Sequence, residues 1–473
     1  MARTMPLGLF ALALALAGCT VGPDYRQPAL ELPETWPAAP AQATAADRVG
    51  ERWWSLYRDP VLDRLMDEAL VHNADLQAAL ARVREARALA GIADADRYPA
   101  VSARFSKDRT RSSLEGSFPL PEDFPRTLNN HRATLDAAWE VDLWGKYSRA
   151  SEASRAEFLA AEWARQGVRL SLAAQVAREY FALLAADGQL ATAQRTLATR
   201  NETLALFRRR LEVGAISEYD LRQAEAEVAI ARSQLAALAL ARDRNESALA
   251  LLLGRSPRQV MAGAIERGAP APLAETAVPA GLPSDLLLRR PDLQEAEQRL
   301  VAANARIGAA RAQYFPAVSL TAYLGSESVA FSNLFTGPTG IFQFAATMTQ
   351  TLWDGGRIGW SVEASEARRG QALAQYRQAV AAAFRDVRDA LAAQASAQET
   401  LAAESARSEA LALALRQARQ QFNAGQASWL EVLDVERNLL DAELARIDAE
   451  RARKAALADL FKALGGGWEK PEG

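Results

Sequence analysis

Apolar and polar positions alternate with two different periods along this chain, and the two periods separate strands from long helices. Between residues 133 and 143, Ala133, Leu135, Ala137, Trp139, Val141 and Leu143 fall on one side, with Thr134, Asp136, Ala138, Glu140 and Asp142 on the other. Val101, Ala103 and Phe105 alternate with Ser102, Arg104 and Ser106. Val318, Leu320, Ala322 and Leu324 alternate with Ser319, Thr321 and Tyr323, and Phe342, Phe344, Ala346 and Met348 with Gln343, Ala345, Thr347 and Thr349. Successive side chains of a strand point to opposite faces, so the pattern predicts four amphipathic strands, at about 100–110, 132–144, 317–326 and 340–353. Elsewhere the period is seven. Val176, Leu183, Leu190, Leu197, Leu204 and Leu211 recur without a break; Val380, Val387, Leu401, Leu415 and Phe422 keep the spacing, with Gln394 and Ser408 in the gaps. Sustained heptads specify supercoiled helices packed knobs-into-holes. In the first half, helices are predicted from about Pro60 to Asp96, Tyr147 to Arg210 and Glu218 to Leu252. At 1.5 Å per residue the second would be roughly 95 Å long, matched by the other two stacked end to end.

The whole arrangement occurs twice. Asp75-Leu76-Gln77, Tyr98-Pro99-Ala100-Val101, Leu143-Trp144-Gly145, Gly214-x-x-Ser217-x-x-Asp220 and Leu253-Gly254 appear in the first half. Asp292-Leu293-Gln294, Phe315-Pro316-Ala317-Val318, Leu352-Trp353-Asp354-Gly355, Gly425-x-x-Ser428-x-x-Glu431 and Leu464-Gly465 follow in the same order. The offset is 217 up to the Pro-Ala-Val, 209 at the Leu-Trp and 211 thereafter, so length changes fall between elements. One structural unit is used twice. Gly214 and Gly425 suit the left-handed position just past a helix end, and Ser217-x-x-Asp220 and Ser428-x-x-Glu431 resemble capping boxes opening the next helix. Gly355 and Gly356, after the fourth strand, are assigned to a bend.

On pattern alone the strands fit a soluble antiparallel sheet with one solvated face as well as a transmembrane barrel. Strand lengths of about 9–11 residues with aromatics at the ends favour the barrel, and Tyr98, Trp139, Trp144, Phe315 and Trp353 occupy such positions. Four strands cannot close one, and an open edge in lipid leaves backbone groups unpaired at several kcal/mol each. Several copies must therefore share a barrel. Two would give eight strands with a filled interior; three would give twelve and leave a passage.

The N-terminus reads as an export signal over residues 1–18: Arg3, an apolar run from Leu7 to Leu16, then Leu16-Ala17-Gly18-Cys19. The run is too short to span a bilayer, which takes about 20 residues. Cys19 is the only cysteine and stands where a lipobox cysteine is lipidated; a plain signal peptide is the alternative. Thr20 after it, rather than Asp, favours the outer membrane by resemblance to other lipoproteins. Lys and Arg number 55 against 58 Asp and Glu, with signs interspersed, which gives no footprint for nucleic acid. His72 and His131 are the only histidines, and both are expected at surface or loop positions. No catalytic residues, metal site or cofactor are expected beyond a covalent lipid on Cys19. Leu430, Asp434 and Arg437, at spacings of four and three on the second hairpin, share a helix face; a solvated charged face would read the same way.

In this order the motifs are specific. Cys19-Thr20-Val21-Gly22-Pro23-Asp24-Tyr25, Trp53-Trp54 with Asp59-Pro60, the Tyr-Pro-Ala-Val copies, Glu140-Val141-Asp142-Leu143-Trp144-Gly145, Arg289-Arg290-Pro291-Asp292, Trp353-Asp354-Gly355-Gly356 and both Gly-x-x-Ser tips closely resemble the outer-membrane factor family. These are the TolC-like channels, and the match is to their NodT/OprM-like lipoprotein branch, associated with resistance-nodulation-division efflux pumps. The resemblance covers essentially the whole chain. It implies an α+β membrane fold, a homotrimeric 12-stranded barrel in the outer membrane continued by a periplasmic α-helical barrel. It implies an exit duct for drugs or other small molecules, working with a periplasmic adaptor (membrane fusion protein) and an inner-membrane pump. A type I protein-secretion channel and a non-conducting coiled-coil scaffold are the alternatives. The implied layout is a lipid-anchored segment over 19–59, a first repeat over 60–254, a Pro-rich linker over 255–283, a second repeat over 284–465 and a tail over 466–473. The implied gate is a leucine layer at Leu430, an aspartate ring at Asp434 and a salt-bridging Arg437, with Asp220 and Arg222 of the first tip as candidate partners. Three Asp434 carboxylates around one axis would place like charges together and could hold cations. The tips, about 211–221 and 422–434, would contact the adaptor through Leu211, Gly214, Ser217, Leu221, Phe422, Gly425 and Ser428.

Overall fold

The computed structural model describes residues 20–33, 52–113, 115, 121, 125–263, 265–268 and 290–466. The signal segment, Cys19, most of the Pro-rich linker and the tail beyond 466 lie outside them. The first repeat contains α1 (Pro60–His72), α2 (Ala74–Ala95), β1 (Ala100–Arg111), β2 (Thr127–Val141), α3 (Lys146–Glu212) and α4 (Glu218–Leu252). After a short α5 (Pro257–Ala262), the second contains α6 (Pro291–Arg311), β3 (Ala317–Ser328), β4 (Gly340–Thr349), α7 (Arg357–Asn423) and α8 (Trp429–Ala463). The helix pairs repeat to the residue: α3 and α7 each have 67 residues, α4 and α8 each have 35. None of the described helices is long and apolar enough to cross a membrane. The described residues form two compact units, one within Met1–Ala29, Val83–Ala161 and Ala296–Tyr376, the other within Leu30–Arg82, Glu162–Glu295 and Arg377–Gly473.

The first unit holds an antiparallel sheet in the order β1-β2-β3-β4. Its register aligns like with like. Val101, Ala137, Ala322 and Phe344 form one cross-strand row, and Ala103, Leu135, Leu324 and Phe342 the next. Trp139, Leu320 and Ala346, then Val141, Val318 and Met348, extend the same face. Directly opposed residues of an antiparallel pair share a face, so the sheet carries one continuous apolar surface. That surface is the exposed one: Leu135 is 50 % exposed, Leu324 59 % and Phe344 76 %, whereas Thr134 on the polar face is 5 % exposed. A soluble sheet turns its apolar face inward, and this one does the opposite. Among the described residues nothing pairs with the outer edges of β1 and β4.

Two strands stop short of their expected ends because a carboxylate caps the helix that follows. Asp142 accepts the backbone N–H groups of Tyr147 (3.1 Å) and Ser148 (2.7 Å), so β2 closes at Val141 and not near Trp144. Asp354 accepts those of Gly356 and Ile358, both at 2.9 Å, and Gly355 and Gly356 take φ of 69° and 85°, a region glycine enters without strain. β4 therefore ends at Thr349, before residue 353. His131 departs from expectation too: it lies on β2, 8 % exposed, with its ring 5.6 Å from Phe331. In the same unit, residues Val21 to Tyr25 lie against α3 and α6. The Val21 N–H donates to the Trp144 carbonyl (3.1 Å), Asn304 donates to the Pro23 carbonyl (2.7 Å), and Arg149 pairs with Asp24 (2.6 Å).

The second unit is built around buried heptad positions. Val176, Leu183 and Val387 are fully covered, together with Trp53, Leu62, Leu249 and Phe461. A 3-10 turn, Trp53–Tyr57, leads into α1; Trp53 stacks on Phe461 at 5.2 Å, and the Tyr57 hydroxyl donates to the Lys454 carbonyl at 2.7 Å. Asp59 caps α1 through the Val61 N–H (2.9 Å) and accepts from the Tyr180 hydroxyl (2.6 Å). The single helix expected from Pro60 to Asp96 is interrupted. Asn73, buried, leaves the helical region (φ −60°, ψ 129°). Its side-chain oxygen accepts from the Leu76 N–H (3.0 Å) while its amide donates to the Leu252 carbonyl (2.9 Å). One residue thus ends α1, starts α2 and fixes the end of α4.

Candidate functional site

Both helical hairpin tips lie in the second unit and are built alike. Gly214 and Gly425 take φ of 71° and 72°. The Ala215 N–H reaches back to the Arg210 carbonyl and the Gln426 N–H to the Gln421 carbonyl, each at 2.8 Å, the pairing that closes a helix on a left-handed glycine. Ser217 and Ser428 then open α4 and α8 with reciprocal capping boxes to Asp220 and Glu431. Between the two hairpins sits a small core of Leu204, Phe207, Leu221, Ala224 and Val228, with Leu211, Ile216, Phe422 and Trp429 packed on it. Trp429 meets Phe207 at 5.0 Å and Phe422 at 5.5 Å. Leu221 is thus buried, and Leu211 and Phe422 face this core. The exposed tip positions are Gly214, Ser217, Gly425 and Ser428, joined by Val213 and Tyr219, 78 % and 71 % exposed.

Leu430, Asp434 and Arg437 form an exposed stripe on α8, while Val432 and Leu433 turn into the protein. Asn438 donates to Asp434 at 3.3 Å. Arg437 does not pair with Asp220, whose carboxylate is held by Ser217 (2.6 Å), and Arg222 is engaged by Glu218 and Glu225 on its own helix. Arg437 reaches Glu227 on α4 instead. Glu227 is almost wholly buried and also meets Arg200 of α3 at 3.1 Å. Three elements therefore converge on one carboxylate. Sequence reading missed Glu227 and Arg200 because a buried pair between distant helices leaves no local spacing signature. Val213 and Tyr219, apolar residues flanking the Gly-x-x-Ser turn, were readable there.

An inside-out sheet with two open edges, on a chain whose helices repeat, calls for comparison with known membrane channels. The profile of the outer membrane efflux protein family matches residues 65–255 and 282–466. The chain belongs to that family. It is 35 % identical to the cation efflux system protein CusC of Escherichia coli O6:H1, over 98 % of each chain. It is equally 35 % identical, over 98 % of each, to SrpC, a solvent efflux pump outer membrane protein of Pseudomonas putida. The open-state structure of the MtrE outer membrane channel of Neisseria gonorrhoeae superposes with a TM-score of 0.84 at 33 % identity, covering 95 % of this chain and 98 % of that one. The protein is thus an α+β outer-membrane channel subunit, four strands of a homotrimer's twelve-stranded barrel, and it belongs to the outer membrane with its helices in the periplasm. Three copies remove every open edge that the single chain leaves.

Proposed function

We propose that this protein is the outer-membrane exit duct of a tripartite efflux pump, passing small molecules from an inner-membrane resistance-nodulation-division transporter and a periplasmic adaptor to the exterior. The carrying observation is the sheet: its apolar face points outward and its polar face is the one a closed barrel would enclose, so the lumen is polar and passable. The duct is passive and non-catalytic, and energy enters at the inner membrane. Relatives with printed roles in cation and in solvent efflux favour efflux over type I protein secretion. Because they are equally similar to this chain, likeness does not select a cargo. The Leu430–Asp434 stripe supplies the narrowest ring at the tips, and the Arg437–Glu227–Arg200 cluster holds the stripe in place. Adaptor helices engage the exposed tip at Gly214, Ser217, Gly425 and Ser428, with Val213 and Tyr219 as apolar anchors. Cys19 carries the covalent lipid. Planar-bilayer recording of the purified protein is the test: discrete conductance steps are expected, and a protein that inserts without conducting is a scaffold.

A further inference from the structure

The register of the sheet segregates negative charge as sharply as it segregates hydrophobicity. Every carboxylate of the four strands, Asp108, Asp136, Glu140 and Glu327, lies on the polar face. On the outward face of β1, Val101, Ala103 and Phe105 are followed at the same two-residue step by Lys107, Arg109 and Arg111, all exposed. Their cross-strand partners on β2 are His131, Asn129 and Thr127, so nothing opposite them is acidic. Among the described residues none of the three holds an ion pair. Arg132, on the polar face, behaves differently: it meets Glu327 at 3.7 Å and sits over the Tyr323 ring at 4.3 Å.

The position of these cations is equally defined. Counted from Val141, the outward apolar rows end at Phe105 and Ala133; the four steps between these five rows, at about 6.7 Å each, span roughly 27 Å along the strand, or about 21 Å along the membrane normal at a tilt of about 40°, comparable to the apolar band of about 25 Å of a membrane barrel. Lys107 begins the next row. Phe331 marks this boundary with an aromatic ring, edge-on to both Phe105 (6.2 Å) and His131 (5.6 Å). The cations therefore stand at headgroup height, at the hairpin end of the strands away from the helices, on the surface that meets lipid.

We propose that Lys107, Arg109 and Arg111 form a docking strip for the phosphate groups of an anionic glycolipid in the outer leaflet, with Val101, Ala103, Phe105 and Leu135 beneath it receiving the acyl chains. A trimer repeats the strip three times around the rim. Phosphate suits it because guanidinium and ammonium groups bind phosphate oxygens by charge-assisted hydrogen bonds, and a lipid-borne phosphate arrives with the apolar part the sheet already accommodates. The inference rests on the outer-membrane location and not on the efflux reading.

Native mass spectrometry of the purified full-length trimer tests it, with bisphosphorylated lipid A, its dephosphorylated form and inorganic phosphate as probes. The wild type is expected to retain the bisphosphorylated lipid and to release the dephosphorylated one. Removal of each cation near a charged surface weakens binding about fivefold, so Lys107→Gln, Arg109→Gln and Arg111→Gln combined should weaken it roughly a hundredfold. Exchange of each for the other basic residue should preserve binding, and Arg104→Gln on the polar face should leave it unchanged. If the triple variant fails to assemble, Arg109→Gln alone should still show the fivefold loss. Equal retention of the dephosphorylated lipid, unchanged binding by the triple or the Arg109→Gln variant, or displacement of the lipid by millimolar inorganic phosphate would overturn the proposal.

Discussion

At the scale of single residues, burial decides which partner in the Arg437–Glu227–Arg200 cluster matters most. Arg437 is about half exposed, and an exposed ion pair contributes only about 0–1 kcal/mol. Glu227 and Arg200 are both under a tenth exposed, and breaking a buried pair by removing one partner costs about 3–5 kcal/mol because the other charge is stranded. Glu227→Ala should therefore loosen the tips far more than Arg437→Ala. Hydrogen exchange at Leu221 to Val228 checks the order, and equal effects would show that the buried pair carries no special weight. The Leu430→Ala, Asp434→Ala double variant removes both the apolar layer and the carboxylate ring, so single-channel conductance and vancomycin sensitivity should rise; no change in an assembled trimer would move the constriction elsewhere. Glu431 adds a pH dependence. The Ser428 backbone and hydroxyl hold its carboxyl below the usual glutamate range, so the capping box is fully stabilising above the unfolded value and is lost as pH falls through the lower folded one. Amide exchange at the second tip should accelerate only on strong acidification, and acceleration already near neutral pH would be inconsistent with this carboxylate.

Secondary-structure elements were legible in proportion to how local their signals are. Glycine turns, capping boxes and heptads act within a few residues, and α4 occupies the span the sequence predicts, Glu218–Leu252. The alternation of β2 was equally plain, yet it could not say which face was covered; only the cross-strand rows and their exposure do that. The break at Asn73 depends on a carbonyl at Leu252, 179 residues away, so periodicity runs through it. The repeat held the missing hint, because Pro291 begins α6 where Ala74 begins α2, and proline favours a first helical position. Leu135→Arg puts a charge in the middle of an apolar row at a cost of about 2–4 kcal/mol near the bilayer midplane, incurred once per copy. Trimer yield on native gels should collapse; normal trimers would place Leu135 away from lipid.

At the scale of the whole molecule, the barrel and the proposed lipid on Cys19 hold the protein to the same membrane with unequal strength. Twelve shared strands bury far more than acyl chains, which contribute about 0.8 kcal/mol per buried methylene. Cys19→Ser should therefore lose lipid labelling while still fractionating with outer membranes as a trimer. Soluble, unassembled Cys19→Ser protein would show instead that the lipid is needed to reach the membrane.

The seat of the N-terminal segment carries a statement about time. Asp24, Tyr25 and Pro23 find their partners 125, 272 and 281 residues further along. A β-carbon on Gly22 would come within 2.4 Å of the Gly308 backbone, so the two strands of chain meet with no room to spare. The segment leaves the ribosome among the first described residues, but its resting place does not exist until α6 has been made and exported. This early segment is thus among the last to settle, and Gly308→Ala should leave it unseated on an otherwise finished subunit.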